Sequence, residues 1–287
     1  MPGFKDARII ESSVSEDGKL QKAVGEITIN WPEVFQGHKF SLLFGLQETE
    51  MMLPAGGVVT GIQVTIIDYI AGLAGVTLAV IITAGFIPNM MRKGSIDLLL
   101  VKPISRPLLL VYKYLGGLSF VLFNAVVLIG TSWVVFGLTL GNWNYWYLAS
   151  IGVLLFYFAV LYSLSVLVGV VTRNSLAAIL VTLGFWIFMA AVGLVRTLAH
   201  DARTPLDFPD YIVQAIDAVH FVMPRLGDLS ALNQYALAEA NGLTNLIDEE
   251  KKQTALKFSW TETLLTSGAF IFVMLSLACW RFSRRDY

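Results

Sequence analysis

The chain has 287 residues, of which 56% are hydrophobic and only 14% are charged, and its mean hydropathy is +0.67. Soluble domains carry about 45–50% apolar and about 25% charged residues, so this composition excludes a soluble globular protein and predicts a polytopic membrane protein. The formal net charge of -1 averages over an uneven distribution and indicates no partner. One cysteine, Cys279, excludes an intrachain disulfide, and we expect it to pack as a thiol within an apolar run.

The first 62 residues are polar. Within them, "GEITINW" at residues 25–31 alternates apolar and polar residues, which predicts a β-strand with Ile27, Ile29 and Trp31 on one side. We interpret residues 1–62 as a truncated piece of a small extracytoplasmic domain, followed by a transmembrane domain over residues 63–287.

Five apolar stretches are long enough to cross a membrane, since about 20 residues at about 1.5 Å each span a hydrocarbon core of roughly 30 Å. They predict an all-α polytopic helix bundle with spans at 63–89, 114–140, 146–171, 175–196 and 263–281. The first span is longer than needed and should tilt or protrude. The second and third are joined by "GNWNYW", whose aromatic residues suit a membrane–water interface, and the third and fourth by the hairpin "TRNS".

Among the short connections, lysine and arginine occur only in alternate ones, which sets the orientation. They occur in the loop at 90–113, in the turn at 172–174 and in the C-terminal tail, and they are absent from the turn at 141–145. Because positive short loops are retained in the cytoplasm, these connections and the C-terminus should be cytoplasmic. The loop at 197–262 and residues 1–62 should then be extracytoplasmic, in a multi-pass protein of the cell (inner) membrane.

This orientation requires the polar N-terminal segment to cross the membrane, although the chain begins with no apolar core of the kind a signal peptide needs. Our hypothesis is that a spanning helix lies upstream of Met1. The alternative is an N-terminal tail that is translocated without one.

The loop at 90–113 combines basic and apolar residues in a helical pattern. Ser95 can cap a short helix that has an apolar face and a polar side, formed respectively by Ile96, Leu99, Leu100 and Ile104 and by Arg92, Lys93 and Asp97. Such a helix can be held by a partner as well as by the membrane surface.

Two prolines separate this short helix from the next span. Pro103 and Pro107 disfavour the α conformation at the residues before them. Ser105 is then expected to cap the following helix through its hydroxyl, with Pro107 in the first turn, where a missing N–H costs nothing. We interpret this "KPISRP" segment as a rigid elbow that transmits force from the short helix to the span.

The string "RKGSIDLLLVKPISRPLLLVYKYLGG", residues 92–117, resembles the cytoplasmic loop of permease subunits of the ABC type-2 transporter family. The resemblance implies six spans, of which this chain shows five, with the first of the six missing. It also implies a cytoplasmic coupling helix seated in a separate ABC ATPase subunit, and a second permease subunit in a homodimer or heterodimer. From the resemblance and from the charged side of the short helix, we expect ATPase coupling to involve Arg92, Lys93, Gly94, Asp97, Leu99, Leu100, Pro103, Ser105 and Arg106.

The loop at 197–262 contains two apolar patterns at helical spacing. One runs through Ile212, Ile216 and Val219, and the other from Leu229 to a stop near Gly242, so we predict two short amphipathic helices. The resemblance implies that such helices cap the translocation path on its outer side. The alternative is a solvated surface loop that packs on itself.

The chain offers no catalytic or metal-binding motif. It lacks the phosphate-binding pattern G-x-x-x-x-G-K-[ST], so ATP should be bound by the partner subunit and no cofactor by this chain. His38, His200 and His220 form no metal-ligand pair, so we expect no metal site. We expect Ser163 and Ser165 to form backbone or interhelical hydrogen bonds rather than to act as nucleophiles.

Asp68 is the one acidic residue within the first predicted span. An ionisable side chain at membrane depth indicates a functional role, here in the path or in gating. The alternative is a polar residue near the interface, within reach of water. Ala71 and Gly75, four residues apart, allow close helix packing.

These features favour the permease subunit of an ATP-driven ABC transporter that exports a substrate through a path between two permease subunits. It is not expected to be an enzyme, and its partners are an ABC ATPase subunit, a second permease subunit and the lipid bilayer, with no nucleic acid. The alternatives are a non-transporting membrane anchor for a soluble partner and, with weaker support, an intramembrane enzyme. The sequence does not identify the substrate.

Overall fold

The computed structural model describes residues 3–14, 20–30, 37–42, 47–52, 55–91, 105–200, 209–243 and 259–284. The chain divides into two compact units, Met1–Val59 and Thr60–Tyr287.

The first unit contains two antiparallel β-hairpins. Strand β1 (Gly3–Val14) pairs with β2 (Leu20–Asn30), with Ile9 opposite Gly25, and β3 (Gly37–Leu42) pairs with β4 (Gln47–Met52). The strand predicted from "GEITINW" is confirmed through Asn30, while Trp31 lies outside the described residues.

The second unit is a helix bundle, which confirms the predicted fold class. Its first span, called span 1 below, is built from α1 (Ala55–Thr65), a π-helix (Ile66–Val76), α2 (Thr77–Thr83) and α3 (Phe86–Met90). The other helices are α4 (Arg106–Leu140), α5 (Tyr145–Thr172), α6 (Ser175–His200), α7 (Asp210–Val222), α8 (Leu226–Ala240) and α9 (Trp260–Ser283).

Five helical stretches of the described residues are long and apolar enough to cross a membrane, as predicted. They are Gly57–Met90, Pro107–Leu140, Tyr145–Thr172, Ser175–Arg196 and Trp260–Ser283. The first two begin six and seven residues before their predicted starts, because glycines and Lys113 lower the local hydropathy without interrupting the helix.

Helix α5 is the centre of the bundle. It packs against α4, α6 and α9 and against the π-helix, α2 and α3 of span 1. Phe158, Leu161 and Tyr162 in its middle are fully buried, whereas α4 and α6 each expose a broad apolar face. A helix that is buried all round has apolar residues on every side, which is the pattern that α5 shows.

A glycine allows α4 and α5 to approach closely. A Cβ added at Gly117 would lie 2.4–2.7 Å from the ring of Tyr162. That ring also stacks on Tyr114 and Phe158, at 5.3 and 5.2 Å between centroids, so it cannot swing aside freely. The Tyr114 hydroxyl donates a hydrogen bond of 2.9 Å to the carbonyl of Ala159, which fixes the register of the two helices.

The bundle has two distinct ends. The end that holds the turn at 141–144 and Trp260 is called the tryptophan end, and the end that holds the turn around Arg173 and the start of α4 is called the arginine end. At the tryptophan end the Trp146 and Trp260 rings meet edge to face at 6.2 Å between centroids. At the arginine end Arg173 terminates α5 in a left-handed conformation, at φ 55°.

Helices α7 and α8 form a hairpin that enters the bundle from the tryptophan end. The connection between the two helices, residues 223–225, is called the apex and lies inside the bundle. There the backbone N–H of Arg225 donates to Ser267 Oγ at 3.3 Å. Ser267 lies about two turns, or roughly 10 Å, along α9 from Trp260 at the tryptophan end. Helix α8 then runs back toward the tryptophan end, where Asn241, directly after the helix, contacts the turn at 141–144. The two short helices predicted in this loop are therefore confirmed, but a surface loop packing on itself is excluded for residues 209–243.

Charged pairs fasten the hairpin to its neighbours. Arg196 Nε of α6 lies 3.0 Å from Asp217 Oδ1 of α7, and Arg225 Nη1 lies 3.1 Å from Glu262 Oε2 of α9. The second pair joins the apex to the first turn of α9, where an acidic residue also suits the helix dipole.

The close contact at Gly117 predicts that Gly117→Ala destabilises the bundle by about 1–3 kcal/mol, the usual cost of overpacking a core. The neighbouring Gly116→Ala is a matched control, since its Cβ would meet nothing within 4 Å. Alanine is about 0.5–1 kcal/mol better than glycine inside a helix, so the control should be unchanged or slightly more stable. Thermal unfolding of the two variants in detergent measures the difference, and equal unfolding temperatures would contradict the packing described.

Candidate functional site

Most of the residues predicted to couple to an ATPase lie outside the described residues. These are Arg92, Lys93, Gly94, Asp97, Leu99, Leu100 and Pro103. The structure does describe both ends of their segment, since α3 ends at Met90 and α4 begins at Arg106. Pro88 of α3 packs against Gly169 of α5, so the segment joins two helices at the arginine end.

Ser105 and Arg106 mark the start of α4. Ser105 is exposed and extended, with φ -64° and ψ 141°, and Arg106 and Pro107 are the first two helical residues. The predicted hydrogen bond from a backbone amide to the Ser105 hydroxyl is absent, so that part of the prediction was wrong. An N-cap oxygen accepts from the second or third helical residue, and one of these two donors is missing because the second is Pro107, which has no N–H.

Asp68 lies in the first turn of the π-helix and is partly buried. Two side chains of α8 donate hydrogen bonds to its carboxylate: Ser230 Oγ to Oδ1 at 3.2 Å and Gln234 Nε2 to Oδ2 at 2.5 Å. The phenol of Tyr157 on α5 lies within electrostatic range of the same carboxylate. Asp68 is therefore a contact between span 1 and the inserted hairpin, not simply a hydrated residue at an interface.

The π-helix around Asp68 is an unusual element. Such helices are rare and often occur at functional sites. Glycine permits this one locally, because a Cβ at Gly72 would lie 3.0 Å from the carbonyl oxygen of Ile67, and one at Gly75 3.2 Å from that of Ile70. Ala71 is buried, in agreement with the predicted close packing on this side of the span.

Asn241, directly after α8, uses all of its side-chain hydrogen-bonding capacity. Its Oδ1 accepts from the amides of Asn142 and Asn144, each at 3.1 Å. Its Nδ2 donates to Thr60 Oγ1 at 2.7 Å and to Gln63 Oε1 at 3.1 Å. One amide thus joins α8, the turn at 141–144 and span 1.

Asn144 has a second role at this junction. Its Oδ1 accepts from the backbone N–H of Trp146 at 2.9 Å and so caps the start of α5. Its carbonyl accepts from Trp133 Nε1 at 3.0 Å, which ties the turn back to α4. The turn that positions Asn241 is therefore itself fixed by both helices that it joins.

Sequence reasoning found Asp68 but missed Ser230, Gln234 and Asn241. The sequence pattern explains Asn241 only as part of a helix end, because Asn-Gly commonly follows an apolar helical pattern. It explains Asn142 and Asn144 only as turn residues, so nothing in it indicates a contact between them and Asn241. Ser230 and Gln234 of α8 and Asn241 directly after it are spaced by four and seven residues, which places them on one face of the helix. That spacing was the available signal.

A separate polar contact binds α8 to α5. Ser150 Oγ donates to Asn233 Oδ1 at 3.0 Å, and both residues are almost fully buried. Of the two serines expected to form hydrogen bonds within α5, Ser163 donates to the carbonyl of Val160 at 2.7 Å, whereas the buried hydroxyl of Ser165 has no partner.

Among the described residues, no group of three or more His, Cys, Asp or Glu side chains is placed to hold a metal ion. His38 lies on β3, His200 at the end of α6 and His220 on α7, and their side chains lie outside the described residues. Cys279 is a free, partly buried thiol that packs against the core.

Comparison with known families matches residues 19–287 to the ABC-2 family transporter proteins. The match covers all of the helix bundle and the segment from β2 onward. No curated protein and no solved structure matches the chain. Members of this family are membrane transport components that are not themselves catalytic. With its five apolar helices long enough to span a bilayer, the chain therefore belongs to the ABC-2 transporter family and is a multi-pass membrane permease subunit of an ABC transporter.

Proposed function

We propose that this permease pairs with a second permease subunit and with a separate ATP-hydrolysing subunit, and that the complex exports a substrate through a path between the two permeases. The observation that carries this proposal is the family match over residues 19–287, since permeases of this family generally pair with an ABC ATPase subunit. ATP is bound by the partner, because this chain has no phosphate-binding loop.

The proposed orientation places the arginine end on the cytoplasmic side of the cell (inner) membrane. The turn around Arg173, the end of α3, the start of α4 and the end of α9 all lie at this end, and the sequence carries basic residues at or next to each of them. The turn at 141–144 carries none. Because basic residues in short loops are retained inside, the C-terminus is cytoplasmic and the tryptophan end is extracytoplasmic.

The proposed coupling element is residues 92–106, with Leu99 and Leu100 as the buried contact and Arg92, Lys93 and Asp97 as polar contacts to the ATPase. A nucleotide can shift the permease between two states only through contacts that differ between those states. The segment has the connectivity needed, because it follows span 1 directly and continues into α4 after the extended residue Ser105.

The orientation predicts which cysteines a membrane-impermeant thiol reagent can label. In a Cys279→Ser background, Trp143→Cys should be labelled from outside intact cells, because Trp143 is exposed at the tryptophan end. Lys93→Cys should be labelled only after the membrane is made permeable. Labelling of Lys93→Cys in intact cells would reverse the proposed topology.

Coupling through residues 92–106 predicts that Leu100→Ala lowers the effect of the permease on ATP turnover at least ten-fold, since removing a buried leucine side chain typically costs about 2–5 kcal/mol. Asp97→Asn should weaken coupling less, because the amide keeps the shape of the side chain and loses only its charge. The measurement is ATP hydrolysis in proteoliposomes that contain the permease and its ATPase.

Leu108→Ala is the matched control for Leu100→Ala, because Leu108 is exposed on α4 just after the proposed coupling segment. It should leave membrane insertion and ATP turnover unchanged. If the ATPase turns over ATP equally with and without the permease, the anchor interpretation is favoured instead. Wild-type turnover in both Leu100→Ala and Asp97→Asn would remove these residues from the coupling role.

A path or gating role for Asp68 predicts that Asp68→Leu lowers coupled ATP turnover about ten-fold, because hydrogen bonds to a charged group are worth about 1.5–3 kcal/mol. Asp68→Asn keeps an acceptor for Ser230 or Gln234 and should retain more of the activity. Both variants must insert at the wild-type level for the comparison to count. Unchanged turnover in both would leave Asp68 as a polar residue without a role in gating.

A further inference from the structure

Helix α8 contacts its neighbours in two chemically different ways. On one side it packs against α5 and α9, and its leucines Leu229 and Leu232 are almost completely buried. The polar pair on this side, Ser150 with Asn233, is buried as well. The described contacts on this side are therefore closed to water.

The other side of α8 faces span 1 and is joined to it through polar side chains. Ser230 and Gln234 donate hydrogen bonds to Asp68, and Asn241 donates hydrogen bonds to Thr60 and Gln63. We call these six residues the polar seam. Its hydrogen bond between Gln234 and Asp68 is exposed, so water can replace it without entering the core.

The two sides therefore differ in how readily they can separate. Opening an aqueous path along the leucine side would place buried apolar side chains in water, which is unfavourable. Opening it along the polar seam exposes a carboxylate, three amides and two hydroxyls, each of which can bind water. Of the two contacts of α8, the polar seam is the one that can open and close at low cost.

Span 1 is also the element through which movement would reach the seam. It ends at Met90, directly before the proposed coupling segment, and Asp68 lies in its π-helix. Conversion of a π turn to an α turn rotates the side chains on one side of it relative to those on the other while the helix stays hydrogen-bonded. Such a conversion would change the direction in which Asp68 points relative to Ser230 and Gln234.

We propose that the polar seam separates and re-forms during the transport cycle while α8 remains bound to α5 and α9, and that Asp68 is the positioning residue that closes it. This inference rests on the proposed function, because nucleotide binding to the partner supplies the driving force. Beyond the proposed function, it specifies that the contact of α8 with span 1 moves and that its contact with α5 and α9 does not.

The experiment compares two cysteine pairs in a Cys279→Ser background, each in the permease–ATPase complex in proteoliposomes. Thr60→Cys with Asn241→Cys spans the seam, and Ser150→Cys with Asn233→Cys spans the buried contact to α5. A short, reducible bis-thiosulfonate linker is applied to the complex without nucleotide and to the complex trapped with Mg·ATP and orthovanadate. The cross-linking rate and the ATP turnover after cross-linking are measured.

We expect the cross-linking rate of the seam pair to change at least ten-fold between the two states, and that of the control pair to stay within two-fold. Linking the seam pair should lower ATP turnover at least ten-fold, with recovery on reduction, whereas linking the control pair should leave turnover unchanged. Asp68→Cys with Gln234→Cys is the second seam pair and is used for the cross-linking rate alone, because the loss of Asp68 is itself expected to lower turnover.

Equal rates in both states for both seam pairs, or full turnover with the seam linked, would overturn the inference while leaving the proposed function in place. A change at the control pair equal to that at the seam would overturn it too, because α8 would then move as a whole. If the permease without these cysteines does not alter ATP turnover, the proposed function fails, and the inference fails with it.

Discussion

The close packing of neighbouring helices around α5 is the contact on which the rest of the bundle depends. Gly117 lets α4 approach the Tyr162 ring, and Gly169 packs on Pro88 of span 1. Helix–helix association in lipid relies on such close contacts, because lipid tails are as apolar as the side chains they would replace. Once α4, α6, α9 and span 1 are fixed around α5, a site remains between them at the tryptophan end, and the α7–α8 hairpin occupies it.

Polar side chains then decide how the hairpin is held. Backbone groups within each span are satisfied by the helix itself, and many hydroxyls, such as those of Thr83 and Ser119, donate to a carbonyl of their own helix. The side chains that bond between elements are concentrated at the hairpin. Interhelical hydrogen bonds of this kind are typically worth about 0.6–2 kcal/mol each in membrane proteins, so a small group of them can position an element without making its position permanent.

The sequence predicted the spans well because hydropathy depends on composition over about 20 residues, and a few polar residues barely change it. Their starts were less certain, since Lys113 ended the apolar run although α4 continues through it with that side chain exposed. The cap at Ser105 was predicted from residue type alone, although Pro107 removes one of the two N–H groups that could have formed it. The spacing of Ser230, Gln234 and Asn241 marks a polar face, but their partners were not predictable, because they lie more than 150 residues away in the chain.

Asn144 has a consequence for how disturbance spreads through the molecule. The same side chain begins the central helix through Trp146 and holds the end of the hairpin through Asn241. Fraying of the first turn of α5 and release of α8 therefore share one amide, so their free energies are linked and each event makes the other easier. Hydrogen exchange at the start of the most buried helix should consequently report the state of the hairpin end, which is 97 residues away in sequence.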